Sequence, residues 1–171
     1  MPSKTYLRAL ESTDLEFLYE LENDESVWQV SDTSAPFSKF VLQQYLENAT
    51  ADIYTTRQFR FVICEKETDK PVGAIDLYEF EPRHSRAGIG VLVKQQERGK
   101  GFAAEALQHL EEYCKNHLHL HQLFCTVPAH NEPSLKLFRQ AGYSEIGVRK
   151  DWMKAPQGWQ DVVEFQKLLT A

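Results

Sequence analysis

The residues best placed to do chemistry are Gln96-Glu97-Arg98-Gly99-Lys100-Gly101. They follow an apolar stretch, Ile89-Gly90-Val91-Leu92-Val93, and precede a segment with helical periodicity. A strand that turns through two glycines into a helix start aims several unpaired backbone N–H groups at one point. The helix dipole adds partial positive charge there, and the missing Cβ atoms let an anion come close. Arg98 and Lys100 add formal charge, so the turn suits a diphosphate. Its spacing is neither the Gly-x-Gly-x-x-Gly of a dinucleotide site nor a P-loop, which ends in Gly-Lys-Ser/Thr.

The elements around this turn follow from periodicity. Thr5–Leu10 alternates as a strand, Thr13-x-x-Glu16 reads as a capping box, and Leu15, Leu18 and Leu21 form a helical stripe. A second helix is expected over Lys39–Asn48, with Ser26–Pro36 as a loop. Strands are expected at Arg60–Cys64, Val72–Phe80 and Ala87–Val93. The helix after the glycine turn carries Ala103, Ala106, Leu107, Leu110 and Cys114. A strand at Leu123–Val127 and a helix at Asn131–Gln140, ended by Gly142, come next, and strands at Tyr143–Val148 and Val162–Lys167 close the chain. This order predicts one α+β domain over residues 1–171, a mixed, mostly antiparallel sheet flanked by helices.

Composition narrows the function. The 171 residues are 42% hydrophobic and 26% charged, with net charge −6, which argues against nucleic-acid binding because phosphate contacts need a basic face. No apolar run approaches a membrane span, and Met1-Pro2-Ser3-Lys4 lacks the apolar core of a leader, so a cytoplasmic protein is expected. Cys64, Cys114 and Cys125 contain no Cys-x-x-Cys pair and read as reduced thiols. His117, His119 and His121 alternate, but no cysteine or carboxylate completes a tetrahedral set, so no metal is expected.

The turn resembles the Gln/Arg-x-x-Gly-x-Gly/Ala pyrophosphate loop of the GNAT superfamily of acetyl-CoA-dependent N-acetyltransferases. Asn131-Glu132-Pro133-Ser134-Leu135-Lys136-Leu137-Phe138-Arg139-Gln140-Ala141-Gly142-Tyr143 is similar to that superfamily's Asn-x-x-Ala/Ser-x-x-Leu-Tyr/Phe-x-x-x-Gly-Phe/Tyr segment. Leu7-Arg8, Asp14-Leu15, Glu22-Asn23 and Gly101–Leu107 resemble the branch of ribosomal-protein and spermidine N-acetyltransferases. The resemblance implies the GNAT fold, with acetyl-CoA as co-substrate and direct attack by a primary amine in a ternary complex. The acceptor would be a polyamine or diamine, or a protein N-terminus, and a homodimer is common in the superfamily.

The site residues that the resemblance implies are as follows. The pantetheine arm pairs with the strand through Val91 and Val93, with Leu92 between them. Amides of Arg98, Gly99, Lys100, Gly101, Phe102 and Ala103 hold the pyrophosphate with help from the Arg98 side chain, and Asn131 and Ser134 contact the arm or the helix entry. The position of a common tyrosine acid is Phe138, and that of a frequent strand glutamate is Gly88. Ser134 or Tyr143 is then expected as the acid, and Asp76 or Glu79 as base or cation contact. Alternation predicts Asp76 on one strand face and Glu79 with Glu81 on the other. Without the tyrosine and glutamate, a non-catalytic acetyl-CoA-binding module is the alternative.

Overall fold

The chain is described by a computed structural model covering residues 2–31, 33–49 and 51–169, with only the backbone of 29–31. The elements are β1 (Thr5–Ala9), α1 (Leu15–Glu22), α2 (Glu25–Ser31), α3 (Lys39–Asn48), α4 (Ile53–Thr56), β2 (Phe59–Glu65), β3 (Pro71–Glu81), β4 (Arg86–Val93), α5 (Phe102–Asn116), β5 (Gln122–Pro128), α6 (Glu132–Gln140), β6 (Ser144–Ala155) and β7 (Gly158–Leu168). The strands form one seven-stranded sheet in the order β1-β2-β3-β4-β5-β7-β6. Every neighbouring pair is antiparallel except β4 with β5, which is parallel.

The pleat sorts the sheet's side chains into two cores. On one face Ile75, Leu77, Ala87, Ile89, Leu123, Cys125 and Phe165 pack against Ala106, Leu107, Leu110 and Cys114 of α5 and Leu135 and Phe138 of α6. The opposite face offers Val62, Cys64 and Ala74 to Phe17, Leu18 and Leu21 of α1 and Leu42 and Leu46 of α3. Register places Ala74 opposite Leu92, Asp76 opposite Gly90 and Tyr78 opposite Gly88. These three pairs share the α1–α3 face.

Four local expectations are corrected. Thr13 does not box with Glu16; instead the Glu11 N–H donates to Asp14 Oδ2 at 2.7 Å, and Asp14 takes a bidentate pair from Arg8 at 2.9 Å each. Residues 26–31, part of the expected Ser26–Pro36 loop, belong to the helix Glu25–Ser31, because Asp24 caps it, its Oδ1 accepting from the Ser26 N–H at 2.9 Å and the Ser26 hydroxyl at 2.6 Å. Strict alternation fails at Glu79, which takes φ 46° in a bulge between Tyr78 and Glu81. The extra residue turns Phe80 into the core and leaves Glu79 exposed. Finally, β6 and β7 run well beyond their expected bounds to meet at Ala155 and Gly158. The exposed outer half of this hairpin has no buried face to mark it in the sequence.

Glu105, in the first turn of α5, ties the chain start to the helix. Its Oε1 accepts from the Ser3 hydroxyl (2.6 Å), the Thr5 N–H (2.6 Å) and the Thr5 hydroxyl (2.7 Å). Burial works to raise its pKa, but the Ser3 and Thr5 donors prevail and hold it at about 2 against an ordinary 4.5. A carboxylate depressed in the folded state stabilises fully above its unfolded value and loses that contribution as pH falls through the folded one. Thermal melts of Glu105→Gln should therefore give a lower Tm than the parent at neutral pH, with the gap closing between pH 4.5 and 2.

Candidate active site

The parallel junction of β4 with β5 is short. Arg86, Ala87 and Gly88 pair with Gln122, Leu123 and Phe124, and no pairing of the two strands continues beyond Gly88 among the described residues. β5 stays with β7 as far as Pro128, so the sheet opens into a V whose one side is the free edge of β4. Gly90, Val91, Leu92 and Val93 are half-buried along that edge. Because the strands are parallel, both lead into helices at the same end of the sheet, and the N-termini of α5 and α6 flank the mouth of the V. Two helix dipoles thus bring positive potential to one opening.

The glycine turn is built for exposed amides. Gly99 has φ 79° and Gly101 φ 84°, the left-handed region that a Cβ disfavours. A Cβ at either would meet nothing within 4 Å, so backbone conformation rather than space calls for glycine. Gly101 is the N-cap of α5 and has no side chain to occupy the first-turn amides of Phe102 and Ala103.

The basic side chains are held by partners. The Arg98 Nε donates to the Val93 carbonyl at 3.0 Å, and its NH2 group reaches Ser26 Oγ at 3.3 Å and Asp24 Oδ2 at 3.4 Å. Buried Glu97 accepts from Lys100 at 2.8 Å and Lys70 at 3.2 Å, and these two lysines, Lys100 first, hold its pKa below the usual carboxylate range. The cap of α2, read as loop from the sequence, therefore also anchors the loop arginine. On the α6 side, Asn131 Oδ1 accepts the Ser134 N–H at 3.4 Å, so Asn131 serves the helix entry, and Ser134 is half-buried one turn in.

Across the sheet, on the α1–α3 face, lies a cavity of about 520 Å3 whose lining includes Glu22, Tyr45, Phe59, Arg60, Asp76 and Tyr78. Both oxygens of Asp76 accept from Arg60, Nε to Oδ1 at 2.7 Å and NH2 to Oδ2 at 2.9 Å, while Arg60 NH1 donates to Glu22. Burial opposes the Arg60 charge, but Asp76 and then Glu22 outweigh it and raise its pKa further. Two carboxylates around one guanidinium leave a net negative cavity wall. Asp76 enters as a member of this triad rather than as a free base; the sequence offers Glu22 only within the family resemblance and Arg60 only as a strand start, because their meeting depends on the α1–β2 contact.

The other candidate residues lie elsewhere. Glu79 is exposed on its bulge and is absent from the cavity lining. Tyr143 is buried behind α6 against Phe138, their ring centroids 5.1 Å apart, and its hydroxyl has no hydrogen-bond partner among the described residues. Burial, and then the Glu111 charge, push its pKa up. That core position keeps it out of the V. No cluster of three or more metal-ligating side chains occurs among the described residues.

An acetyltransferase (GNAT) domain match spans residues 4–144. The chain belongs to the GNAT acetyltransferase family. It is 30% identical over 163 residues to the uncharacterised N-acetyltransferase p20 of Bacillus licheniformis, covering 95% of this chain and 91% of that one. Spermidine N(1)-acetyltransferase of Escherichia coli K12 is 30% identical over 150 residues, 86% of this chain and 77% of the relative. The fold is that of the Vibrio cholerae spermidine N-acetyltransferase solved with CoA and spermine, at TM-score 0.88 and 24% identity over 98% and 97% of the two chains. This GNAT protein is accordingly an acetyl-CoA-dependent N-acetyltransferase, and the alternative of a non-catalytic module falls away. Gly101→Ala should let the free turn relax out of the left-handed region, so that re-forming the amide cradle around CoA costs roughly 1–2 kcal/mol. Calorimetric titration should then show CoA binding weakened about 5- to 30-fold.

Proposed function

We propose that this acetyltransferase modifies a polyamine, with acetyl-CoA in the V and the amine in the acidic cavity. The observation that carries the reading is the adjacency of the two on one sheet: the cavity that holds Glu22 and Asp76 extends to Tyr78, the cross-strand partner of Gly88 at the closed end of the V. The arm of the co-substrate lies along β4, pairing with the backbone of Val91 and Val93 past Leu92, as an added strand does on an open edge. Amides of the Arg98–Ala103 turn hold the pyrophosphate, with Gly99, Lys100, Gly101 and Phe102 among them, and Asn131 and Ser134 border the arm from α6. To join the phosphates, the Arg98 guanidinium exchanges Asp24 and Ser26 for them.

The acceptor enters as an ammonium drawn by the net charge of the Glu22–Arg60–Asp76 triad. A cation near such a wall gains on the order of 1 kcal/mol even with solvent present. The Escherichia coli relative named for spermidine supports the same substrate class. Three buried free thiols fit a cytoplasmic enzyme, and the whole chain acts as one catalytic domain.

The test is release of CoA thiol from acetyl-CoA with spermidine, spermine, putrescine and N-terminal peptides. Turnover should be confined to the polyamines; turnover with peptides alone would contradict the reading. Glu22→Gln, which removes one negative charge and keeps the shape, should raise KM for spermidine about 5- to 10-fold and leave KM for acetyl-CoA unchanged.

A further inference from the structure

Tyr78 stands where the sheet begins to open, and it crosses β4 there. A Cβ built at Gly88 would lie 2.5 Å from the Tyr78 Cζ and 2.6 Å from Cδ2, and closer still to Cε2. The ring therefore fills the space that any side chain at 88 would need. At Gly90, two residues on and on the same face, the nearest ring atom would be 3.9 Å away, ordinary contact. The ring meets Phe124 of β5 edge-on, centroids 6.0 Å apart. Phe124 is the last β5 residue paired with β4, and exposed Thr126 lies beyond it on the lip of the V. One tyrosine thus reaches from β3 over bare β4 to β5 and puts a hydroxyl at the apex.

This placement bears on two vacancies in the chemistry. Phe138 is buried against Tyr143 and Phe165 and has no proton to give, and position 88 has no side chain. We propose that Tyr78 is a catalytic residue of this acetyltransferase, its phenol donating to the sulfur that departs as the thioester breaks, with Gly88 retained because the ring must lie across it. An arm running along the free β4 edge brings its reactive end to the apex, on the side where Tyr78 also lines the acceptor cavity. The ammonium of the acceptor first gives one proton to water. Its nitrogen then bonds to the acetyl carbon, and the carbon–sulfur bond breaks with its electron pair going to sulfur. The nitrogen loses a second proton to solvent, sulfur gains one through the phenol, and the phenol is reprotonated from solvent. Ammonium and thioester thus become amide, thiol and one released proton. Burial, the main cause, raises the Tyr78 pKa to about 12, so the hydroxyl keeps its proton at neutral pH and remains a donor.

The inference rests on the acetyltransferase activity but not on the acceptor's identity, so any amine that is turned over serves the test. Tyr78→Phe keeps the ring over Gly88 and removes the hydroxyl alone. It should lower kcat about 10- to 100-fold, with KM for both substrates, CoA affinity by calorimetry and Tm all unchanged. Gly88→Ala, which displaces the ring, should lower kcat by a similar factor. The double variant should lose no more than Tyr78→Phe alone, since both changes act through one hydroxyl. Gly90→Ala should lose less than Gly88→Ala. Wild-type kcat in Tyr78→Phe would overturn the proposal and leave the ring as packing. A loss confined to KM or to CoA affinity would overturn it equally, making Tyr78 a binding contact.

Discussion

The architecture turns on one interrupted ladder. Three pairs join β4 to β5, and after Gly88 and Phe124 the strands part. A parallel pair needs a helical crossover between its strands, so the same junction that opens the sheet also places α5 and α6 with their N-termini at the opening. Free strand edge, helix amides and converging dipoles follow from one topological choice. These backbone groups are the ones that the proposed binding of the co-substrate uses. The side chains around the turn chiefly neutralise one another, as Glu97 does with Lys70 and Lys100 and Asp24 does with Arg98.

The second constraint is steric. On the α1–α3 face, β4 presents two glycines, Gly88 and Gly90, and Tyr78 lies against the first. A carboxylate at 88 and the tyrosine at 78 cannot both occupy this site. The absence of a strand glutamate, which alone suggests lost activity, is the reciprocal of the tyrosine's presence. Likewise, the Glu22–Arg60–Asp76 triad sits in a partly buried wall because the carboxylate oxygens facing Arg60 are hydrogen-bonded, which offsets the cost of burying unpaired charge.

Much of this was legible in the sequence, for identifiable reasons. The glycine turn and the Asn131–Tyr143 segment carry short-range signals, left-handed glycines and a cap, and the core strands alternate or run apolar between polar turns. What escaped depends on distant partners or on local irregularity. α2 was hidden because Asp24 could equally have been a loop residue; its capping role shows only with Ser26 folded back on it. The face assignment of Glu79 failed at a bulge with positive φ, which no periodicity reveals. Tyr143 ends the second motif and carries a hydroxyl, yet the turn after α6 buries it. Tyr78 drew no notice because its significance lies in what β4 lacks opposite it.

The central claim is that the open edge of β4 and the first turn of α5 hold the co-substrate through their backbone. Amide hydrogen exchange, followed residue by residue with and without CoA, tests this most directly. The account predicts slowed exchange at Val91, Val93 and the Gly101–Ala103 amides on CoA addition, with the outer β6–β7 hairpin unchanged. Protection that appeared elsewhere and left β4 and the α5 turn exchanging as in the free protein would contradict it.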